Sequence, residues 1–195
     1  MISRKLQLII AALVAAILAM GFYLVHLKHK AESIAVGPAT QQLVAPVNGP
    51  PAQMTLFVAS DDDYSIRPIS ITSALPSDPG ERGRASLHAL ILRYLAKDSP
   101  HPLGPGADVH DVYLLDPASA VVNLNGEFAN AHRSGIEVEQ LSIFSLVLTL
   151  KAQLPQLNRV RFLVDGKTRD TLAGHLDISD WMDIALVSAA AKDLK

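Results

Sequence analysis

"VRFLVDGKTRDTLAGHLDIS", Val160 to Ser179, is the stretch whose reading decides the fold. Val160, Phe162 and Val164 alternate with Arg159, Arg161 and Leu163, which is the period of a strand with one buried face. Asp165-Gly166 follows. That pair is the strongest hairpin signal in the chain, because a two-residue type I′ turn needs positive φ at both positions. The pattern predicts a hairpin that returns through "TRDTL", Thr168 to Leu172. Beyond it, Gly174 permits a backbone conformation closed to other residues, and the imidazole of His175 can bond nearby main chain while its ring packs. Leu172 and Leu176 bury on either side, with Asp177 next to them. Asp165, Gly166, Leu172, Gly174, His175, Leu176 and Asp177 are therefore read as a structural motif that closes the fold.

Towards the N-terminus, "SGIEVEQLSIFSLVLTLKAQLP", Ser134 to Pro155, reads as the buried central helix. Ser134 is the expected cap, with Glu137 three residues on as in a capping box. Ile136, Leu141, Phe144, Leu148 and Leu150 form the apolar surface, and Pro155 ends the helix. "DVHDVYLLD" and "ASAVVNLNGEF" read as two strands around Asp116-Pro117, with Val112, Leu114, Val122 and Leu124 facing the core. A second helix is expected from about Pro79 to Lys97, with Asp78 as N-cap and Leu87, Leu90, Ile91, Tyr94 and Leu95 at helical spacing. "QMTLFVAS" and "YSIRPISIT" read as the opening strands, with Pro68 at an edge or bulge. The order strand, strand, helix, strand, strand, helix, strand, strand predicts an α+β fold, two helices packed on one face of a small, mainly antiparallel sheet.

The chain of 195 residues is 49% apolar, enough for one modest domain and a further segment. From Leu6 to Leu27 the only strongly polar side chains are Gln7 and His26. A run of about 22 residues matches what a single transmembrane helix needs. It is longer than the apolar region of a cleaved signal peptide, its main rival, so an uncleaved signal anchor is expected. The absence of Cys excludes a lipid-modified cysteine. The division expected is a cytoplasmic tail 1–5, an anchor 6–27, a Pro/Gly-containing tether 28–52, the domain 53–181 and a C-terminal tail 182–195. The short N-terminal tail favours a single-pass arrangement in the cytoplasmic (inner) membrane, with the domain extracytoplasmic or periplasmic. Net charge is −2 with no basic stripe, which argues against nucleic acid.

"MTLFVAS", "ASLHALI" with its Pro/Gly break, "AVVNLNGEF", "RSGIEVEQLSIFSLVLTL" and "VRFLVDGKTRDTLAGHLDIS" together resemble the GerMN domain of bacterial sporulation and spore-germination proteins. The resemblance covers about Met54 to Trp181 and is most specific over Val160 to Asp177. It implies a small extracytoplasmic domain, often membrane-tethered, related to ring-building domains and without known catalytic activity. The chain departs from the family in carrying Asn123 and Asn125 where an acidic-aromatic segment is common.

His175 with Asp177 and Ser134 has the residue types of a hydrolase triad, but sequence order does not supply the geometry and no G-x-S-x-G elbow is present. No catalytic residue and no cofactor is assigned. Asp61 to Asp63 lack the alternation, Gly and distal Glu of a calcium loop and read as a solvated turn. His88, His101, His110 and His132 lack zinc spacing, so no metal is expected, and surface or helix positions account for them. Two function classes remain. The first is a non-catalytic scaffold or interaction domain, tethered through residues 6–27, that contacts other envelope proteins or itself. The second is a cell-envelope ligand-binding protein or hydrolase with a site around His175, Asp177 and Arg133.

Overall fold

The computed structural model describes residues 51–194, so the apolar run Leu6–Leu27, the tail before it and nearly all of the tether lie outside the described residues. The elements are β1 (Pro51–Ser60), β2 (Ser65–Ala74), α1 (Pro79–Tyr94), β3 (Val109–Asp116), β4 (Ser119–Leu124), α2 (Gly126–Asn130), α3 (Ile136–Gln153), β5 (Arg159–Val164), β6 (Met182–Asp183) and α4 (Ile184–Asp193). Among the described residues no helix is long and apolar enough to cross a membrane.

The class is α+β, but its plan differs from the expected single antiparallel sheet with two helices. β1 and β2 form a separate two-stranded ribbon, and a four-stranded sheet has the order β3-β4-β5-β6. Its central pair, β4 and β5, is parallel. The connection between them passes through α2 and α3, and a crossover of that kind is what parallel neighbours require. Four helices are described. α2 arises because the Asn125 side chain accepts from the Phe128 N–H at 2.9 Å, so "NGEF" turns into a capped helical turn instead of prolonging β4. α4 replaces the expected tail. Asp183 accepts from the Ala185 and Leu186 N–H groups, and Ile184 and Val187 are buried in the core.

The Asp165-Gly166 turn forms with φ of 50° and 73°, the signs a type I′ turn needs. Val164 and Lys167 exchange N–H···O bonds of 2.9 and 3.0 Å. The return strand through Thr168–Leu172 does not form. The turn is instead held to the end of β4, where Asn123 Oδ1 accepts from Gly166 N and Asp165 Oδ1 accepts from Gly126 N. β6 pairs with β5 at Arg159 and Val160, and the Arg159 guanidinium lies 4.7 Å from the Trp181 ring centre.

The core gathers Val160, Phe162 and Val164 of β5, Val122 and Leu124 of β4, Leu87, Leu90, Ile91 and Tyr94 of α1, and Met54, Leu56 and Val58 of β1. Each such side chain contributes about 1.5–3 kcal/mol when fully buried. The other edge of β1 is covered by helix side chains. Phe57 N–H donates to Thr149 Oγ1 and Ala59 N–H donates to Tyr94 OH, both at 2.8 Å, while Gln153 Nε2 donates to Thr55 O at 3.3 Å. Residues 55, 57 and 59 thus turn away from β2. With Phe57 opposite Pro68, the same parity turns the backbone groups of Ile66, Pro68, Ser70 and Thr72 away from β1. Pro68 therefore lacks its N–H on the outer side of the ribbon.

Candidate functional site

Glu139, Ser142, Ser145 and Thr149 stand three, three and four residues apart, so they form one stripe along α3. All four are fully enclosed. Enclosed polar groups need partners, and each member of this stripe has them. Ser145 donates to the Ser142 carbonyl, and Thr149 takes the Phe57 N–H of β1.

Glu139 holds the Leu172–Leu176 segment. Its Oε2 accepts from Ala173 N at 3.1 Å, His175 N at 3.2 Å and Leu176 N at 2.9 Å. Its Oε1 accepts from Gly135 N at 3.2 Å and from His175 Nδ1 at 3.0 Å. Burial opposes ionisation, but the bonds from Leu176, Ala173, Gly135 and His175 outweigh it and hold the carboxyl at about 2. Gly174 takes φ of 118°, which lets the chain wrap the carboxylate closely enough for three N–H groups to converge. Leu172 is buried, Leu176 packs at the margin of the core, and His175 is half-exposed.

The caps divide. Asp78 accepts from Glu81 N at 2.9 Å at the start of α1. The N-cap of α3 is Gly135 and makes no side-chain cap bond. Ser134 instead has its hydroxyl 3.2 Å from His175 Nδ1, and Glu139 accepts from the N–H of the actual cap, Gly135, where a capping-box Glu137 was expected to accept from the Ser134 N–H. The reason is positional. Gly135 has φ of 150°, and α3 begins one residue later than the capping box requires.

Asp177 is turned to Ser179, whose hydroxyl at 2.6 Å and N–H at 2.8 Å hold its carboxyl below the usual range. Among the described contacts it does not meet His175, so His175, Asp177 and Ser134 do not form a triad. Arg133 pairs with Asp61 at 2.5 Å. A groove of about 510 Å³ lies between Pro79, Arg82, Leu114, Pro117, Leu154 and Pro155, and no residue of the 172–177 segment lines it.

A second cluster brings together residues the sequence reading left scattered. His101 Nδ1 meets Asp61 Oδ1 at 2.5 Å, and His101 Nε2 meets Ser142 Oγ at 2.6 Å. His132 Nε2 also meets Ser142 Oγ at 2.6 Å. Asp61, His101 and Ser142 thus have the order of a hydrolase relay, but Ser142 is 0% exposed and its hydroxyl is shared with a second imidazole. No substrate carbonyl can reach it. Asp61 is therefore a structural ligand of His101 and not a freely solvated turn residue, whereas Asp63 does serve its turn by binding Ser65 and Arg67. His88 pairs with Asp108 at 2.7 Å and His110 with Asp165 at 3.1 Å near the surface. Among the described residues no group of three or more potential ligands is placed to hold a metal ion.

Chemically, the arrangement is turned inward: the acceptors of Glu139 and the enclosed hydroxyls face groups of the same domain. A polar stripe on an otherwise apolar helix was the available sequence signal. Among solved structures, the chain is similar to the tandem GerMN domains of the sporulation protein GerM from Bacillus subtilis, at 17% identity over 69% of this chain and 46% of that one, TM-score 0.48. It is similar to the first GerMN domain of the same protein at 17% identity over 68% and 97%, TM-score 0.45. A candidate lipoprotein from Clostridium perfringens gives 20% identity over 68% and 87%, TM-score 0.43. No curated protein matches the chain. The family model described as Germane, sporulation and spore germination, matches residues 55–170. That match spans more than half of the chain, which therefore belongs to the Germane, or GerMN-type, domain family.

Proposed function

We propose that the protein is a non-catalytic interaction domain, tethered by Leu6–Leu27 to the cytoplasmic membrane with its domain outside, and working by contact within an envelope assembly. The observation that carries this reading is the outer edge of β2, which no other strand pairs among the described residues. Ser70 and Thr72 are exposed, their backbone groups turn away from β1, and no charged side chain stands between Pro68 and Ala74. An uncharged edge of that kind pairs with an extended strand of another chain, and Pro68 limits where pairing can begin. Tethering in two dimensions raises the effective concentration of partners, so weak pairing is enough. The hydrolase alternative has no comparable support, because His175 and Asp177 face different partners and neither lines the groove beside Pro79 and Leu154.

The test is to purify residues 47–195 and offer envelope glycans, peptides and esters. The expected result is no turnover and a monomer or weak oligomer in sedimentation. Hydrolysis that disappears in His175→Ala would overturn the proposal.

A further inference from the structure

Four polar contacts run in series through the interior. Asp61 Oδ1 meets His101 Nδ1 at 2.5 Å, His101 Nε2 meets Ser142 Oγ at 2.6 Å, Ser142 Oγ meets His132 Nε2 at 2.6 Å, and His132 Nδ1 meets the Arg133 carbonyl oxygen at 2.7 Å. Electronegative atoms this close need a proton between them. Each contact therefore uses one proton, and the series uses four. Both ends are fixed acceptors, since an ionised carboxylate and a carbonyl bring none. Two neutral imidazoles bring one proton each and the hydroxyl brings one. Three protons serve four contacts. A change of tautomer or a rotation of the hydroxyl moves the deficit along the series without removing it.

We infer that this series is a proton-uptake device: a single proton entering on acidification completes the fourth contact and is shared by His101 and His132 through Ser142. The device ties together parts of the fold far apart in sequence. Asp61 lies just past β1, His101 in the loop after α1, His132 and Arg133 in the loop before α3, and Ser142 in α3 itself. With three protons, the joint between the β1–β2 turn and the loop before α3 is one bond short. With four it is complete.

The groups facing the pair set where uptake occurs. Asp61 and, on α3, Glu139 favour the added proton, while the Arg133 guanidinium opposes it. The neutral Tyr94 phenol of α1 is held off its own titration by burial, and its ring stands edge-on to His101 with centres 4.9 Å apart. Phe128 of α2 packs against His132. Burial is the largest influence on both imidazoles and holds them below 6.5.

The experiment follows the Nδ1 and Nε2 shifts of the full-length chain, 15N-labelled at its seven histidines, against pH. The expected result is that His101 and His132 move together at one midpoint below 6.5, with a combined uptake of one proton. Ser142→Ala splits that step into two midpoints. Asp61→Asn keeps the shape but removes the favourable charge, and it lowers the shared midpoint by about one pH unit or more. Independent wild-type midpoints, a common midpoint retained in a folded Ser142→Ala, or an unmoved midpoint in Asp61→Asn each overturn the inference. If Ser142→Ala does not fold, the wild-type titration and the Asp61→Asn shift decide.

Discussion

Glu139→Gln removes one charge from the interior and leaves the shape nearly unchanged. In the native protein the carboxylate accepts from four backbone N–H groups and from His175 Nδ1. A glutamine offers one carbonyl oxygen, which serves about two donors, and its amide turns two further donors towards the rest. At least two groups are left without partners, each costing about 1–3 kcal/mol. The depression of the carboxyl by those same bonds leads to a similar figure. The carboxyl falls from an ordinary 4.5 to about 2, and about 2.5 units correspond to roughly 3 kcal/mol. Because the folded value is depressed, this contribution is present above about pH 4.5 and is lost as the pH falls through 2. Urea unfolding followed through Trp181, the only tryptophan, reads the difference. At pH 7 the variant should be about 3 kcal/mol less stable, and the two proteins should converge near pH 2. A loss under 1 kcal/mol at pH 7, or a gap that persists at pH 2, would refute the assignment of Glu139 as the anchor of the closing loop.

Gly174→Val should cost about 1–3 kcal/mol through its φ of 118°, not through crowding, since an added Cβ meets only Ser134 Oγ at 3.8 Å. His175→Ala should cost less, about 1 kcal/mol, and equal losses in thermal unfolding would contradict that ranking. Thr149→Val keeps the volume but leaves the Phe57 N–H of β1 without its acceptor, for a loss of about 1–3 kcal/mol in denaturant. Burial holds His101 and His132 below 6.5, so their contribution to stability falls as the pH drops from 7.5 to 5.5, whereas His88, raised by its bond to Asp108, contributes with the opposite sign; in a His88→Asn background the melting temperature should therefore fall over that range. A flat melting temperature over that range would exclude this. Mass spectrometry of the protein recovered from membranes should find Leu6–Leu27 still attached, and a mature N-terminus near Ala31 or Val36 would show cleavage instead.

Local chemistry made much of the domain readable. The alternation of Val160, Phe162 and Val164, the Asp165-Gly166 turn and the Asp78 cap act within a few residues, and all three have the expected form. The parallel pairing of β4 with β5 has no local signature, because it depends on how α2 and α3 cross the sheet. α2 was hidden because Asn125 both ends a strand and caps a turn, and α4 because a short Ala-rich segment shows few large apolar side chains. The polar stripe on α3 was visible as letters but not as a stripe. Glu139, Ser142, Ser145 and Thr149 would face water on an ordinary amphipathic helix, and only the burial of α3 on several sides encloses them. His101 meets Asp61 and Ser142 across about 40 residues of sequence on either side, which spacing rules for metal or catalytic motifs do not cover, and His132 joins them only through Ser142.

Cross-linking in intact cells tests the central claim most directly. A photoreactive residue at Ser70 or Thr72, on the outer edge of β2, should capture one or a few discrete envelope partners or further copies of the same chain. The same probe on the Arg67 side chain, held in the turn pair with Asp63, should capture less. Full-length protein that remains uncross-linked from Ser70 and Thr72, while anchored and folded, would contradict the reading of this chain as a tethered interaction domain.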